Sequence, residues 1–286
     1  MEIGIATFST DESIGPARLA EEAERFGFDS LFLTDHTHIP VSRETPLPYV
    51  YGGGELRDFY KRPFDPFVAL TAAAMSTTTI RLGTGICLVA QRDTIATAKQ
   101  VASLDFLSGG RFTFGVGFGW NREEAENHGV VFSTRHRLVK EKIEAMKSLW
   151  TDEVASYDGE LVRITDCWCW PKPRQSPHPP IYLGGHGSLA MQNAAEWADV
   201  WFPTPHPDDL ALEKVIPKFR AMVEASGRDP AAVGIAVCFA PEDLRILDRY
   251  REQGVIAAVL RVGTKPEDAT IKQLERLSES VLAQLG

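Results

Sequence analysis

The sequence predicts an α/β fold of the TIM type, a (β/α)8 barrel with insertions after strands 2 and 4. Strand-like runs and helical patterns alternate from end to end, which is the signature of parallel βα architecture. Eight such runs in 286 residues fit a closed barrel better than an open doubly wound sheet. No Pro- or Ser-rich linker interrupts them, so residues 1–286 read as a single domain.

The strands, in order, are Ile3 to Phe8, Ser30 to Thr34, Arg81 to Val89, Arg111 to Val116, Ile181 to Gly184, Val200 to Pro203, Gly234 to Ala240 and Ala257 to Val262. Helical stretches such as Ile14 to Phe26 and Arg135 to Trp150 separate them. Leu107 to Asn121 compresses a helix end, a strand and a glycine-rich loop into one run. Gly109 and Gly110 suit the left-handed stop of a helix, and Arg111 to Val116 alternates bulky with small residues. Gly117 and Gly119 then leave backbone room for a flat ligand. In the third strand Gly83 and Gly85 sit inside a buried run, where glycine marks a bulge, a close backbone approach or packing against a helix.

Two segments are too long for turns, and both are read as lids at the end of the barrel where active sites form. The first, His36 to Arg62, holds Arg43, Tyr49, Tyr51, a Gly52-Gly53-Gly54 hinge candidate, Arg57 and Lys61. The second, Thr151 to Pro180, contains a predicted hairpin, Val154 to Tyr157 and Leu161 to Ile164, turned through Asp158-Gly159. The competing reading for both is inert surface loop.

Composition is that of an ordinary globular protein, with 44% hydrophobic and 24% charged residues. A formal charge of −9 and a pI near 5.3 oppose long-range attraction to nucleic acid or to an anionic membrane surface. Local amides and a few basic side chains still permit an anionic cofactor. Cys87, Cys167, Cys169 and Cys238 lack zinc-ligand or Cys-x-x-Cys spacing, and Cys167-Trp168-Cys169-Trp170 reads as strand alternation. The strand Met1-Glu2-Ile3-Gly4-Ile5 follows no charged leader or long apolar run, so a reducing cytoplasm is the expected location. His128, His136, His178 and His206 form no metal set, and neither a Gly-x-Ser-x-Gly elbow nor a kinase-type loop is present.

Three strand ends carry chemistry. Thr34-Asp35-His36 places a carboxylate beside an imidazole, with His38 close behind. Asp35 could accept hydrogen bonds from a ring edge, and His36 could act as general acid or orient a substrate; a loop cap covered by imidazole is the bland alternative. At Gly184-Gly185-His186-Gly187-Ser188 a strand ends in glycines and a helix begins, which presents free amides suited to phosphate, with Ser188 also a candidate cap. Trp120 and Asn121 follow the fourth strand, where Asn121 could hydrogen-bond a cofactor and Trp120 pack near its ring, with core packing of Trp120 as the competing reading. Glu123 and Glu124 read as solvated helix-start charges favoured by the dipole, with a role as the acid the alternative to that reading.

Taken together, the Asp-His strand end, Gly83-Thr84-Gly85, the Ser108 to Asn121 run and the Gly184-Gly185 loop followed by Asn193 to Asp199 resemble the luciferase-like monooxygenase superfamily. The likeness is to its coenzyme F420 (deazaflavin)-dependent oxidoreductase branch, of the uncharacterised actinobacterial type. That resemblance implies hydride transfer between F420 and a small organic substrate, with Asp35 and His36 meeting the cofactor and the reacting centre. It implies a non-proline cis peptide at Gly85-Ile86 behind the ring, and cofactor contacts from Gly117, Trp120 and Asn121. It further implies phosphate at Gly184, Gly185, His186, Gly187 and Ser188, and a basic groove for a polyglutamate tail that could include Arg43, Arg57 and Lys61. Some relatives carry a glutamate acid where this chain has Trp120, which leaves His36 as the matched acid and disfavours sugar-phosphate dehydrogenation. FMN with O2 and a flavin or F420 reductase as electron source is the alternative, and a non-catalytic flavin-binding protein the rival of another class. A homodimer is expected by the same analogy, while the histidine and cysteine spacing leads to the expectation of no metal.

Overall fold

The computed structural model describes residues 1–48, 52–205 and 212–285. Among these, β1 (Glu2–Thr7), β2 (Ser30–Leu33), β3 (Arg81–Thr84), β4 (Phe112–Val116), β7 (Ile181–Gly184), β8 (Val200–Phe202), β9 (Gly234–Ala240) and β10 (Ala257–Arg261) close into a parallel barrel in that order. The last strand closes on the first, with Glu2 opposite Ala257. Between β4 and β7 lies a separate antiparallel hairpin, β5 (Ala155–Asp158) and β6 (Arg163–Cys167). The barrel is wrapped by α1 (Pro16–Arg25), α2 (Pro66–Ser76), α3 (Thr94–Leu107), α4 (Arg122–Asn127), α5 (Arg135–Thr151), α6 (Ser188–Trp197), α7 (Leu212–Ala225), α8 (Leu244–Glu252) and α9 (Glu267–Leu277).

Strands buried on both faces read as nearly continuous apolar runs, which is why eight of them were visible. Their inward side chains form a compact interior from Ala6, Phe32, Tyr182, Phe202 and Val259. Their outward side chains, among them Leu31, Leu33, Phe114 and Leu183, pack against small helical residues such as Ala20, Ala73 and Ala98. Gly109 and Gly110 take φ of 74° and 86°, and the Gly110 amide returns to the Asp105 carbonyl, closing α3 as expected.

The expected strand Arg81–Val89 ends at Thr84. The Gly85-Ile86 peptide that follows is cis, as the resemblance implied. Past it, Cys87 donates to the Gly115 carbonyl and Gly117 donates back to Cys87, so the chain rejoins β4 one step further out. The glycines of this strand face an aromatic neighbour rather than a helix. A Cβ on Gly83 would lie 2.4 Å from the Phe32 ring, and one on Gly85 would lie 2.8 Å from Phe32 Cβ.

The segment Thr151–Pro180 is not a lid. It follows α5, and in a βα barrel the chain has by then returned to the N-terminal end of the strands. Its connector is pinned there: the backbone amides of Arg174 and Gln175 donate to the buried Asp105 carboxylate, and Gln175 Nε2 donates to the carbonyl of Phe112, the first residue of β4. Cys167 ends β6, Cys169 is buried, and Trp168 and Trp170 face outward, as their alternation predicts.

Arg111, the last residue of the Ser-Gly-Gly-Arg run, closes the same end of the barrel. Its guanidinium donates to the carbonyls of Ser108, Ile80, Ala74 and Thr77 and to Thr77 Oγ1. Arg111→Met leaves these carbonyls without partners and is expected to lower the unfolding free energy by about 2–3 kcal/mol in urea titrations. A loss below about 0.5 kcal/mol would show that water replaces the guanidinium freely.

Candidate active site

A cavity of about 590 Å3 opens at the C-terminal end of the barrel and is lined from every strand end. Phe8 follows β1, Thr34 to His36 follow β2, and Gly85, Ile86 and Leu88 follow β3. Phe118 to Trp120 follow β4, Gly184 ends β7, Thr204 follows β8, Phe239 lies in β9 and Arg261 ends β10.

His36 stands in an aromatic niche, with ring centroids 6.4 Å from Phe8, 5.8 Å from Tyr60 and 6.1 Å from Trp120. Its Nδ1 lies 2.9 Å and 3.1 Å from the two oxygens of Glu124. Glu124 is fully buried, so the expectation of a solvated helix-start charge is corrected. Removing a carboxylate from water is costly unless a partner satisfies it, and the imidazole N–H is that partner here. With Nδ1 donating to Glu124, the ring presents Nε2 as its second nitrogen. Glu123 does stand as a charge in the first turn of α4, half-buried and engaged by the neighbouring segment. Its carboxylate accepts from the backbone amides of Glu44 and Thr45 in the 36–62 segment, and hydrogen bonds from Thr45 and Glu44 lower its pKa to about 2.

Asp35 lines the cavity, yet its carboxylate is engaged within the protein. Arg92 donates to both oxygens, at 2.9 Å and 2.8 Å, and Leu88 donates its amide at 3.0 Å. Arg92 also reaches Asp65, whose side chain caps α2. Burial by itself would lower the Arg92 pKa, but the bonds and charge of Asp35 outweigh it, and the guanidinium stays charged.

Of the residues singled out in the sequence, the cavity brings together Asp35, His36, Gly85, Ile86, Trp120 and Gly184. Gly117 faces elsewhere: a Cβ there would lie 1.8 Å from Ile86 Cδ1, so its missing side chain makes room for Ile86 rather than for a ligand. Asn121 is buried, precedes α4 without capping it, and has no partner for either amide atom. Gly185 takes a φ of 117°, Gly187 is the N-cap of α6, and His186, Gly187 and Ser188 are exposed beside Gly184. Arg43 is half-buried with Nε unpartnered, and Lys61 pairs with Asp58. Tyr49, Tyr51 and His206 lie outside the described residues.

Sequence reasoning missed the cations of the cavity wall, Arg135, Arg249 and Arg261. It also missed Cys238, whose thiol burial pushes up to about 12 and so keeps protonated. Among the described residues no group of three side chains could hold a metal, and no helix is long and apolar enough to cross a membrane.

Over residues 13–276 the sequence matches the family described as luciferase-like monooxygenase. The chain belongs to that family. Family relatives include the uncharacterized protein Rv0953c of Mycobacterium tuberculosis, 38% identical over 281 residues that cover 97% of this chain and 98% of that one. The 5,10-methylenetetrahydromethanopterin reductase of Methanolobus tindarius is 29% identical over 263 residues, 91% of this chain and 72% of that one. An FMNH2-dependent dimethylsulfone monooxygenase of Pseudomonas putida is 33% identical over 133 residues, 46% of this chain and 36% of that one. Among solved structures, monooxygenase RslO1 from Streptomyces bottropensis superposes with a TM-score of 0.77 at 20% identity, covering all of both chains. The coenzyme F420-dependent tetrahydromethanopterin reductase of Methanopyrus kandleri gives 0.75 at 20% identity, covering 100% of this chain and 99% of that one. These likenesses extend the barrel architecture of the luciferase-like family to the whole chain.

His136 supplies a pH signature. It lies against Phe118 at 3.9 Å between ring centroids, its Nδ1 has no partner, and burial together with the Arg135 charge lowers its pKa from 6.5 to about 4. Between those values the unfolded chain binds a proton that the folded protein refuses, so this contribution to stability is present above pH 6.5 and is lost as pH falls toward 4. After allowance for its partial exposure, about 1 kcal/mol of the stability lost between pH 7.5 and pH 4.5 is expected to disappear in His136→Gln, read from urea unfolding at both values. An unchanged pH dependence in the variant would assign the loss to other groups.

Proposed function

We propose that the protein is an oxidoreductase that binds coenzyme F420 at the mouth of the barrel and moves a hydride between it and a small organic substrate. The observation that carries the reading is His36, held by the buried Glu124 at the edge of a glycine- and aromatic-lined cavity in a chain of this family. The residues present fit such a group. Thr34 Oγ1 and His136 Nδ1 line the cavity and lack protein partners, the buried Asn121 amide beside it does too, and three arginines favour an anionic ligand. The α6 N-terminus, reached through Gly184, would hold the phosphate on backbone amides of Gly185 to Ser188.

When bound, a deazaflavin supplies a two-electron hydride at C5. The side chains of the chain itself bind, orient and handle the accompanying proton. Glu124 fixes the Nδ1–H tautomer of His36, so Nε2 is the position that gives or takes the proton of the substrate heteroatom. Asp35 acts through others: it fixes Leu88 and Arg92, and with them the turn that carries Ile86. Phe8, Tyr60 and Trp120 keep bulk water from the imidazole. Glu44 and Thr45 are anchored on Glu123, the sequence neighbour of Glu124.

Reduced FMN is the second reading, favoured by the FMNH2-dependent relative. Fluorescence-quenching titration of the purified protein with F420 and with FMN in parallel separates the two. Micromolar or tighter F420 binding with much weaker FMN binding is expected; preference for FMN would move the protein to oxygen-dependent chemistry, and failure of both would refute the cofactor assignment. With a turned-over substrate from a panel of carbonyls and alcohols, His36→Ala is expected to reduce kcat about 10²- to 10⁴-fold with F420 affinity within about threefold. Turnover unaffected by that substitution would remove His36 from the chemistry.

A further inference from the structure

Beside the main cavity, between the C-terminal ends of β1 and β10, a hollow of about 210 Å3 is lined by Arg57, Arg261 and Lys265 together with Phe59 and Thr264. It shares Phe8, Phe239 and Arg261 with the main cavity, so the two are neighbours with a common wall. No aspartate or glutamate lines it. Among the described residues none of the three cationic head groups has a carboxylate partner, and several acids near them in sequence are held by others. Asp58 pairs with Lys61, Asp11 and Glu12 with Arg62, and Glu267 with Arg18. Burial raises the Tyr60 phenol while Arg261 and Arg57 both oppose that rise, so both guanidinium charges act at a residue of the main cavity wall. In a chain of net charge −9, three unneutralised cations around one concavity are mutually repulsive until an anion joins them.

Position around the ring decides whose anion that is. Along the closed barrel the β10–β1 junction is four strands from the β4–β7 junction in either direction, and β7 carries the phosphate-type loop on its end. The hollow therefore lies across the mouth from Gly184 to Ser188, with His36 on the arc between them. We infer that it is the substrate subsite, and that the substrate is an organic oxyanion whose carboxylate or phosphate is seated by Arg57, Arg261 and Lys265. Its apolar body then runs along Phe8 and Phe239 into the main cavity toward His36. This assignment rests on the proposed placement of the cofactor phosphate at Gly184 to Ser188. It takes Arg57 out of a groove for the cofactor tail and gives it to the substrate.

The test uses benzoate, phenyl phosphate and the neutral benzamide, titrated calorimetrically into the full-length protein with and without F420. At least one of the two anions is expected to bind about tenfold or more tightly than benzamide, and which one does so reports carboxylate or phosphate preference. Arg57→Glu and Lys265→Glu, at exposed positions where folding is checked by an unchanged Tm, are each expected to weaken that anion about tenfold. F420 affinity should stay within about threefold of wild type in both. Equal binding of benzamide and the anions, or anion affinity indifferent to both substitutions, would overturn the subsite. A parallel loss of F420 affinity would overturn it too, by giving the hollow to the cofactor. Anion binding that responds to these substitutions in a protein unable to bind F420 would refute the proposed cofactor and uphold the anion subsite.

Discussion

The close approach of β3 to β4, and of the Ile86 that follows β3 to the ends of β4 and β7, is the constraint on which the site depends. A Cβ on Gly115 would lie 1.9 Å from the Thr84 carbonyl oxygen, so this pair of strands tolerates no side chain there. One step outward, Ile86 fills the space that Gly117 and Gly184 leave open, at 1.8 Å and 3.2 Å from where their Cβ atoms would be. Close-packed interiors transmit such a requirement without slack. Gly117 after β4 and Gly184 at the end of β7 thus serve one isoleucine, and that isoleucine is part of the cavity wall.

Above this floor, two buried polar pairs fix the loops to one another. Asp35 ties the end of β2 to the turn after β3 through Leu88 and Arg92, and Arg92 extends the tie to the cap of α2 through Asp65. Glu124 ties the start of α4 to the same end of β2 through His36. A buried carboxylate left without its partner is strongly destabilising, so each pair enforces the loop geometry that produced it. The imidazole is therefore held by the scaffold before any ligand arrives, which is the condition for proton transfer without reorganisation.

Much of this architecture is legible in the sequence because it arises from local rules. Doubly buried strands appear as apolar runs, Gly109-Gly110 stops a helix, and Asp35-His36 sits where a barrel displays functional groups. What escaped is tertiary. Glu124 reads as a dipole-favoured surface charge because nothing local announces a histidine 88 residues away. Gly117 announces a close neighbour without saying that the neighbour is Ile86. The 151–180 segment reads as a lid from its length alone, and the helix that precedes it carries it to the opposite end of the barrel. Arg135, Arg249 and Arg261 are ordinary surface residues in the sequence, and only the closure of the barrel turns them toward one cavity.

The claim that carries the account is that Glu124 sets the tautomer of His36 and leaves Nε2 for chemistry. Ring-nitrogen NMR of ¹⁵N-histidine-labelled protein, with the His36 signals assigned by their loss in His36→Gln, measures this directly. In the neutral ring the proton is expected on Nδ1, with Nε2 the nitrogen whose shift responds to ligands. A neutral ring protonated on Nε2 alone would contradict it.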